Sequence, residues 1–215
     1  MKPLACLILV VLLATPTRAQ DVNLSSPKDA AKSLYRAVER GDEAAIRRTF
    51  YATTDAEREL AGAYATMIVA TKRLADVAQK KYGGAADAFA QGAVTEDDVK
   101  KIDAAEVKPQ GPDRATIALP LAPRPISLRR GEGGWQIVIS DFAGGAPERI
   151  NAQIAMTREI ATVATEVADA IDSDKYPTAQ EAEQAVQQRM NEVMTKAVRA
   201  NPPTTAATQP ATQPG

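Results

Sequence analysis

The sequence predicts an α+β protein: N-terminal helices packed on a curved, cone-like antiparallel sheet, then a C-terminal antiparallel helical hairpin and a disordered tail. Three observations lead to this. Apolar residues recur every three or four positions up to Tyr82 and again from Pro147, which is the helical period. Between residues 102 and 139 the period drops to two, and Gly and Pro punctuate the runs. After Asn201 only Pro, Thr, Ala, Gln and Gly remain, with no side-chain charge, too little apolar surface to offset the entropy of ordering. The expected organisation is an export signal at 1–19, a cone-like domain at 20–145, a helical hairpin at 146–200 and the tail at 201–215.

The first helix starts at Ser26-Pro27-Lys28-Asp29: Ser26 caps, Pro27 suits the first turn and Asp29 holds the capping-box position. Leu34, Val38 and the alanines at 30, 31 and 37 form its apolar stripe, and Gly41 ends it. Asp42 caps a short second helix that buries Ile46 and Phe50. No strand is read between these early helices. Thr54-Asp55-Ala56-Glu57 is a second capping box, and Leu60, Tyr64, Met67, Ile68, Thr71, Leu74, Ala75, Ala78 and Tyr82 make the clearest stripe in the chain, stopped by Gly83-Gly84. A helical turn holds Phe89 before Gly92.

Residues 102–110 are read as a strand with Val107 inward, followed by a turn at Gln110-Gly111-Pro112-Asp113 and a strand at Ala115–Leu119. Ile126–Arg130 and Trp135–Ile139 flank Gly131-Glu132-Gly133-Gly134 as a hairpin, with Trp135, Ile137 and Ile139 on one face. From Pro147 a stripe of Ile150, Ile154, Thr157, Ile160, Ala161, Ala164, Val167 and Ile171 predicts a long helix, broken at Tyr176-Pro177. Thr178-Ala179-Gln180-Glu181 opens its return partner, with Ala182, Ala185, Val186, Met190, Val193 and Ala197 inward.

Lys2, the apolar run Leu4–Ala14 and the small residues of Thr17-Arg18-Ala19 have the form of a signal peptide cleaved before Gln20. The run is too short to span a bilayer, and no later stretch approaches the roughly 20 apolar residues that a spanning helix needs. The expected location is therefore periplasmic or secreted, without a membrane anchor. Cys6, the only cysteine, lies in the signal, so no disulfide is expected in the mature protein. The whole chain carries 26 basic and 27 acidic residues, which gives no reason to expect nucleic acid as a partner.

Histidine is absent. That excludes His-based zinc sites, Ser-His-Asp triads and Cys-His dyads, and leaves carboxylates, Lys, Tyr, Ser and Thr for any chemistry. No cofactor, metal site or catalytic residue is expected. The carboxylates at Asp55, Glu57 and Glu59, and at Glu96, Asp97 and Asp98, sit where acidic side chains stabilise helix starts.

Residues 27–140 resemble the nuclear-transport-factor-2-like superfamily of cone-shaped α+β folds. The resemblance lies in an apolar helix ending in Gly41-Asp42, a second helix with Ile46 and Phe50, a longer helix, and strands closing in Gly133-Gly134-Trp135-Gln136-Ile137. It implies a fold with a pocket. The Asp–His pair of that superfamily's enzymes has no counterpart without histidine. On this reading Tyr64, Met67, Trp135 and Asp141 are the candidates to line or rim the pocket.

The expected function is a non-catalytic binding or structural protein of the cell envelope, meeting an envelope protein or a second copy of itself through residues 147–199. The alternative is a small-molecule-binding or weakly enzymatic cone domain using carboxylates or tyrosines in its cavity. Arg47-Arg48 and Arg124, Arg129 and Arg130 form basic clusters that could meet an acidic polymer or could simply be solvated surface.

Overall fold

A computed structural model describes residues 22–90, 94–120, 122, 124–143 and 147–200. The segments expected as an export signal and a disordered tail lie outside these residues, as do Gly92 and Pro123. Helix α1 (Pro27–Arg40) is capped by the Ser26 hydroxyl, which accepts from the Asp29 N–H at 3.1 Å, and Gly41 closes it in the left-handed conformation at φ 64°. Asp42 caps α2 (Glu43–Arg48) by accepting from the Ala45 N–H. Helix α3 (Asp55–Tyr82) runs 28 residues from the reciprocal Thr54/Glu57 capping box, roughly 42 Å at 1.5 Å per residue. Gly83 then opens a single 3₁₀ turn at Gly83–Ala86.

Helix α4 (Glu96–Ala104) is followed by strands β2 (Val107–Pro109), β3 (Arg114–Ile117), β4 (Ile126–Gly131) and β5 (Gly134–Val138). A second 3₁₀ turn at Ile139–Ala143 leads to α5 (Pro147–Asp172) and α6 (Ala179–Ala200). Adjacent strands from β2 to β5 pair antiparallel, and the two-residue turn Glu132-Gly133 joins β4 to β5.

Two readings of the sequence change. Phe50 and Tyr51 do not extend α2; they form a short strand, β1, parallel to β5, with Phe50 opposite Ile137 and Tyr51 opposite Val138. The sheet is therefore mixed, in the order β1-β5-β4-β3-β2. A pairing this short is set by the partner: the Ile137 N–H donates to the Thr49 carbonyl at 2.8 Å, and no local pattern announces it. Residues 102–104 belong to α4 and not to a strand. The Thr95 hydroxyl and the Asp98 carboxylate form a reciprocal capping box, and Val99 and Ile102 fall three apart on the buried face.

The sheet's inner face buries Phe50, Ala115, Ile117, Leu128 and Ile137 under α1 and the first half of α3. Ile150 and Ile154 of α5 join that same cluster. The packing thus crosses the boundary expected at 145/146. A second cluster gathers Leu74 and Ala78 of α3, Val167 and Ile171 of α5, and Ala182 and Val193 of α6.

Helices α3 and α5 run parallel. Contacts climb both helices together, from Glu59–Arg158 through Arg73–Asp169 and the Lys81 ammonium on the Ile171 carbonyl to the Tyr82 hydroxyl, which donates to the Tyr176 carbonyl at 2.6 Å. Helix α6 returns antiparallel along α5, tied by Glu166–Arg189 and Glu159–Lys196. Among the described residues no helix is long and apolar enough to cross a membrane.

Two truncations check this arrangement. Ending the chain at residue 146 removes Ile150 and Ile154 from the first cluster and uncovers α3, so the product should lose cooperative thermal unfolding by circular dichroism. Ending it at residue 177 removes only α6 and should leave a cooperative transition at lower temperature. Within the full chain, Ile154→Ala should cost about 2–5 kcal/mol and Val198→Ala less than about 0.5 kcal/mol in denaturant melts.

Candidate functional site

The α3 stripe is wider than one neighbour can bury. Leu60, Leu74 and Ala78 are fully covered, while Met67, Ile68 and Ala75 turn partly outward. Those three, at helical spacing, form the floor of a groove of about 340 Å³. Val38 and Glu39 at the end of α1 make one wall, and Phe89 and Val94 make the other. Thr71, Lys72 and Asp76 sit along the rim, where Lys72 Nζ pairs with Asp76 at 2.5 Å. The stem of Lys72 crosses the left-handed Gly41, and a β-carbon there would lie 3.7 Å from Lys72 Cδ. The volume falls at the lower end of small-molecule sites, roughly 300–1,000 Å³. The lining is mainly apolar; its polar members are Glu39 in the α1 wall and Thr71, Lys72 and Asp76 along the rim.

A second cleft, of about 510 Å³, lies between α2, α3 and α5 and is lined by Arg47, Glu59, Gly62, Thr66, Arg158 and Thr162 among others. Its charges are matched internally. Arg158 pairs with Glu59 at 2.8 Å and Arg47 lies 3.6 Å from Glu43. Gly62 is bare because Arg47 occupies the place of a side chain: a β-carbon would come within 2.6 Å of its Nη2.

The candidates read from the sequence do not converge. Met67 alone lines the groove. The half-buried Tyr64 instead packs its ring 5.2 Å from that of Phe142, which meets Phe50 edge-on at 6.0 Å. The Tyr64 hydroxyl accepts from Gln153 Nε2 at 2.9 Å. Trp135 packs on the first cluster, and its backbone N–H donates to the Leu24 carbonyl at 2.8 Å. Asp141 lies in the 3₁₀ turn after β5, where its carbonyl accepts from Arg124 Nη2. Behind Tyr64 and Trp135, the expected cavity position is filled by the buried side chains of Leu128, Ile137 and Ile139.

Of the groove residues, Met67 is the one that the sequence marks as a ligand candidate. The excess width of the α3 stripe was the available signal, because Ile68, Thr71 and Ala75 already belonged to it.

The acidic candidates serve helix starts. Glu57 accepts from the Thr53 and Thr54 N–H groups, Asp55 pairs with Arg58, and Asp98 accepts from Thr95. Their titration follows. Hydrogen bonding by the Thr95 hydroxyl, then by Lys101, holds the Asp98 carboxyl below its ordinary 3.8, and the Ser26 hydroxyl does the same for Asp29. Burial pushes Glu57 up, but the Thr53 and Thr54 donors outweigh it and its value falls. Burial, reinforced by the charge of Asp98, raises Tyr35 to about 12, and burial also raises Tyr64 and Tyr82. All these shifts lead away from neutrality, the opposite of what a general acid or base at pH 7 requires. Among the described residues no group of three His, Cys, Asp or Glu side chains is placed to hold a metal ion.

The Asp98 carboxylate makes a test of the α4 cap. Its folded value lies below the unfolded 3.8, so its stabilising effect is complete above pH 3.8 and is lost as pH falls through the lower folded value. Asp98→Asn should therefore lower the melting temperature at pH 7 and flatten the acid limb below pH 3.8 in thermal melts.

Comparison of the chain with protein-family profiles, with curated proteins and with solved structures finds no match.

Proposed function

We propose that this chain is an exported, non-catalytic binding protein of the cell envelope that takes a small apolar ligand in the groove between α1 and α3. The groove carries the reading: Val38, Met67, Ile68, Ala75, Phe89 and Val94 expose apolar surface to a concave space whose charged lining residues are Glu39, Lys72 and Asp76. The titration pattern favours binding over catalysis, because among the described residues the shifted tyrosines rise and the shifted carboxylates fall, away from neutral pH. Export rests on Lys2, the Leu4–Ala14 run and Thr17-Arg18-Ala19. The resemblance of residues 27–140 to the nuclear-transport-factor-2-like superfamily stays part of the proposal. With the inner sheet face filled, the ligand site moves from the cone interior to the helix groove. Self-association through 147–199 forms no part of it: the α5 stripe is largely covered by this chain, leaving Met194 and Val198 as the exposed large apolar side chains among the described residues.

The test is fluorescence titration of residues 20–215 with the apolar probe N-phenyl-1-naphthylamine. The wild-type chain should bind it, and Ala75→Phe, which fills the groove floor, should reduce affinity at least about tenfold. Equal binding by A75F would reject the groove. Export is checked separately by N-terminal sequencing of the protein recovered outside the cytoplasm, which should begin at Gln20; recovery only in the cytoplasm with Met1 retained would reject it.

A further inference from the structure

The outer face of the sheet carries an arrangement that its own stability opposes. Gln136 of β5, Arg129 of β4 and Arg114 of β3 are direct cross-strand partners and so form one row. Opposed residues on antiparallel strands hold their β-carbons roughly 4.5–5.5 Å apart, and like charges placed this way destabilise a sheet. The nearby carboxylate is Asp113, whose Oδ2 lies 4.0 Å from Arg129 Nε, the outer limit of an ion pair. Arg114 has no ion pair among the described residues and is exposed.

Two members of the row, Arg129 and Gln136, are held in place. Tyr51 reaches from β1 across β5, and the Arg129 guanidinium stacks 5.1 Å from its ring centroid. Gly131 leaves room for that ring: a β-carbon would meet Tyr51 Cε2 at 3.3 Å and Gln136 Oε1 at 3.4 Å. Gln136 Nε2 donates to the Arg48 and Phe50 carbonyls at 2.9 and 3.2 Å, which fixes the amide and turns its oxygen toward Gly131. In the next row on the same face, Thr116 and Ser127 stand opposite each other and are half-exposed. The inner face, by contrast, is closed by α1 and α3.

We infer that this open sheet face binds a carboxylate-bearing glycan, with the Arg114/Arg129 pair holding a uronate carboxylate and the Tyr51 ring flanking the sugar. Guanidinium groups take carboxylates through paired N–H donors, and an anion between two opposed arginines converts their repulsion into attraction. The surrounding Thr116, Ser127 and Gln136 groups suit sugar hydroxyls, and a solvent-facing sheet row admits an extended chain where a closed pocket would not. A phosphate polymer shares the anionic chemistry, and Lys108 opposite Thr116 adds a cation to the same face, so titration with both polymers separates the two. This site is separate from the α1/α3 groove, so the two readings stand or fall independently.

The experiment is calorimetric titration of residues 20–215 with polygalacturonate at low ionic strength, with dextran and polyphosphate as comparators. Polygalacturonate should bind more tightly than either comparator. Arg114→Gln should weaken binding at least about tenfold, the loss of one charge-assisted contact, while leaving the melting temperature unchanged or raised because the opposed charges are relieved. Arg114→Lys keeps the charge but not the paired donors and should fall between. Lys196→Gln on α6 should bind as the wild type does. No binding of polygalacturonate, equal affinity for dextran or polyphosphate, or full affinity in R114Q would overturn the assignment.

Discussion

Burial of α3 along both its halves is the constraint on which the rest depends. A 28-residue helix cannot be covered by the small sheet alone, so its first half closes the sheet core and its second half needs α5. The alanines at 61, 65, 70 and 78 keep the helix slender, which suits close packing by neighbouring elements. Helix α5 therefore serves two clusters at once, giving Ile150 and Ile154 to the sheet core and Val167 and Ile171 to the helical one. The ion pairs along the seam, such as Arg73–Asp169 and Lys81–Asp174, lie at its solvent edge and contribute little individually. Apolar burial holds the seam, and the charges set its alignment.

The groove between α1 and α3 follows from the same constraint. With the α5 side of α3 occupied, the residues at 67, 68 and 75 project where α1 ends at Gly41 and the chain returns through Phe89. The left-handed glycine closes α1 there and carries no side chain into the path of Lys72. On the sheet the division is by face. Alternation sends Ala115, Ile117, Leu128 and Ile137 into the core and leaves Arg114, Thr116, Ser127, Arg129 and Gln136 outside. One face is stabilised by burial, while the other keeps opposed arginines that burial does not require.

Much of this was legible because it is local. The caps at Ser26, Asp42 and Thr54, the stop at Gly41 and the long period from Pro147 each follow from neighbours within four residues. So does the hairpin turn at Glu132-Gly133. Residues 102–104 are also decided locally, by the Thr95/Asp98 box and the Val99/Ile102 spacing, with which the strand pattern around Val107 competes. The candidate site was legible only in part. Met67 lines the α1/α3 groove, whereas Tyr64 and Trp135 pack on the first cluster.

By itself the sequence determined where α1, α3, α5 and α6 begin, which residues share a face of β4 and β5, and which chemistries a chain without histidine must do without. These depend on dihedral preferences, periodicity and side-chain inventory, all carried by short stretches. Only the tertiary structure decided that Phe50 and Tyr51 form a parallel strand, that α5 belongs to the sheet core, that α1 and α3 leave a groove, and that Arg114 faces Arg129. Each of these joins residues far apart in the chain, and pairing at that distance is chosen by the total surface buried, a quantity that no single segment contains.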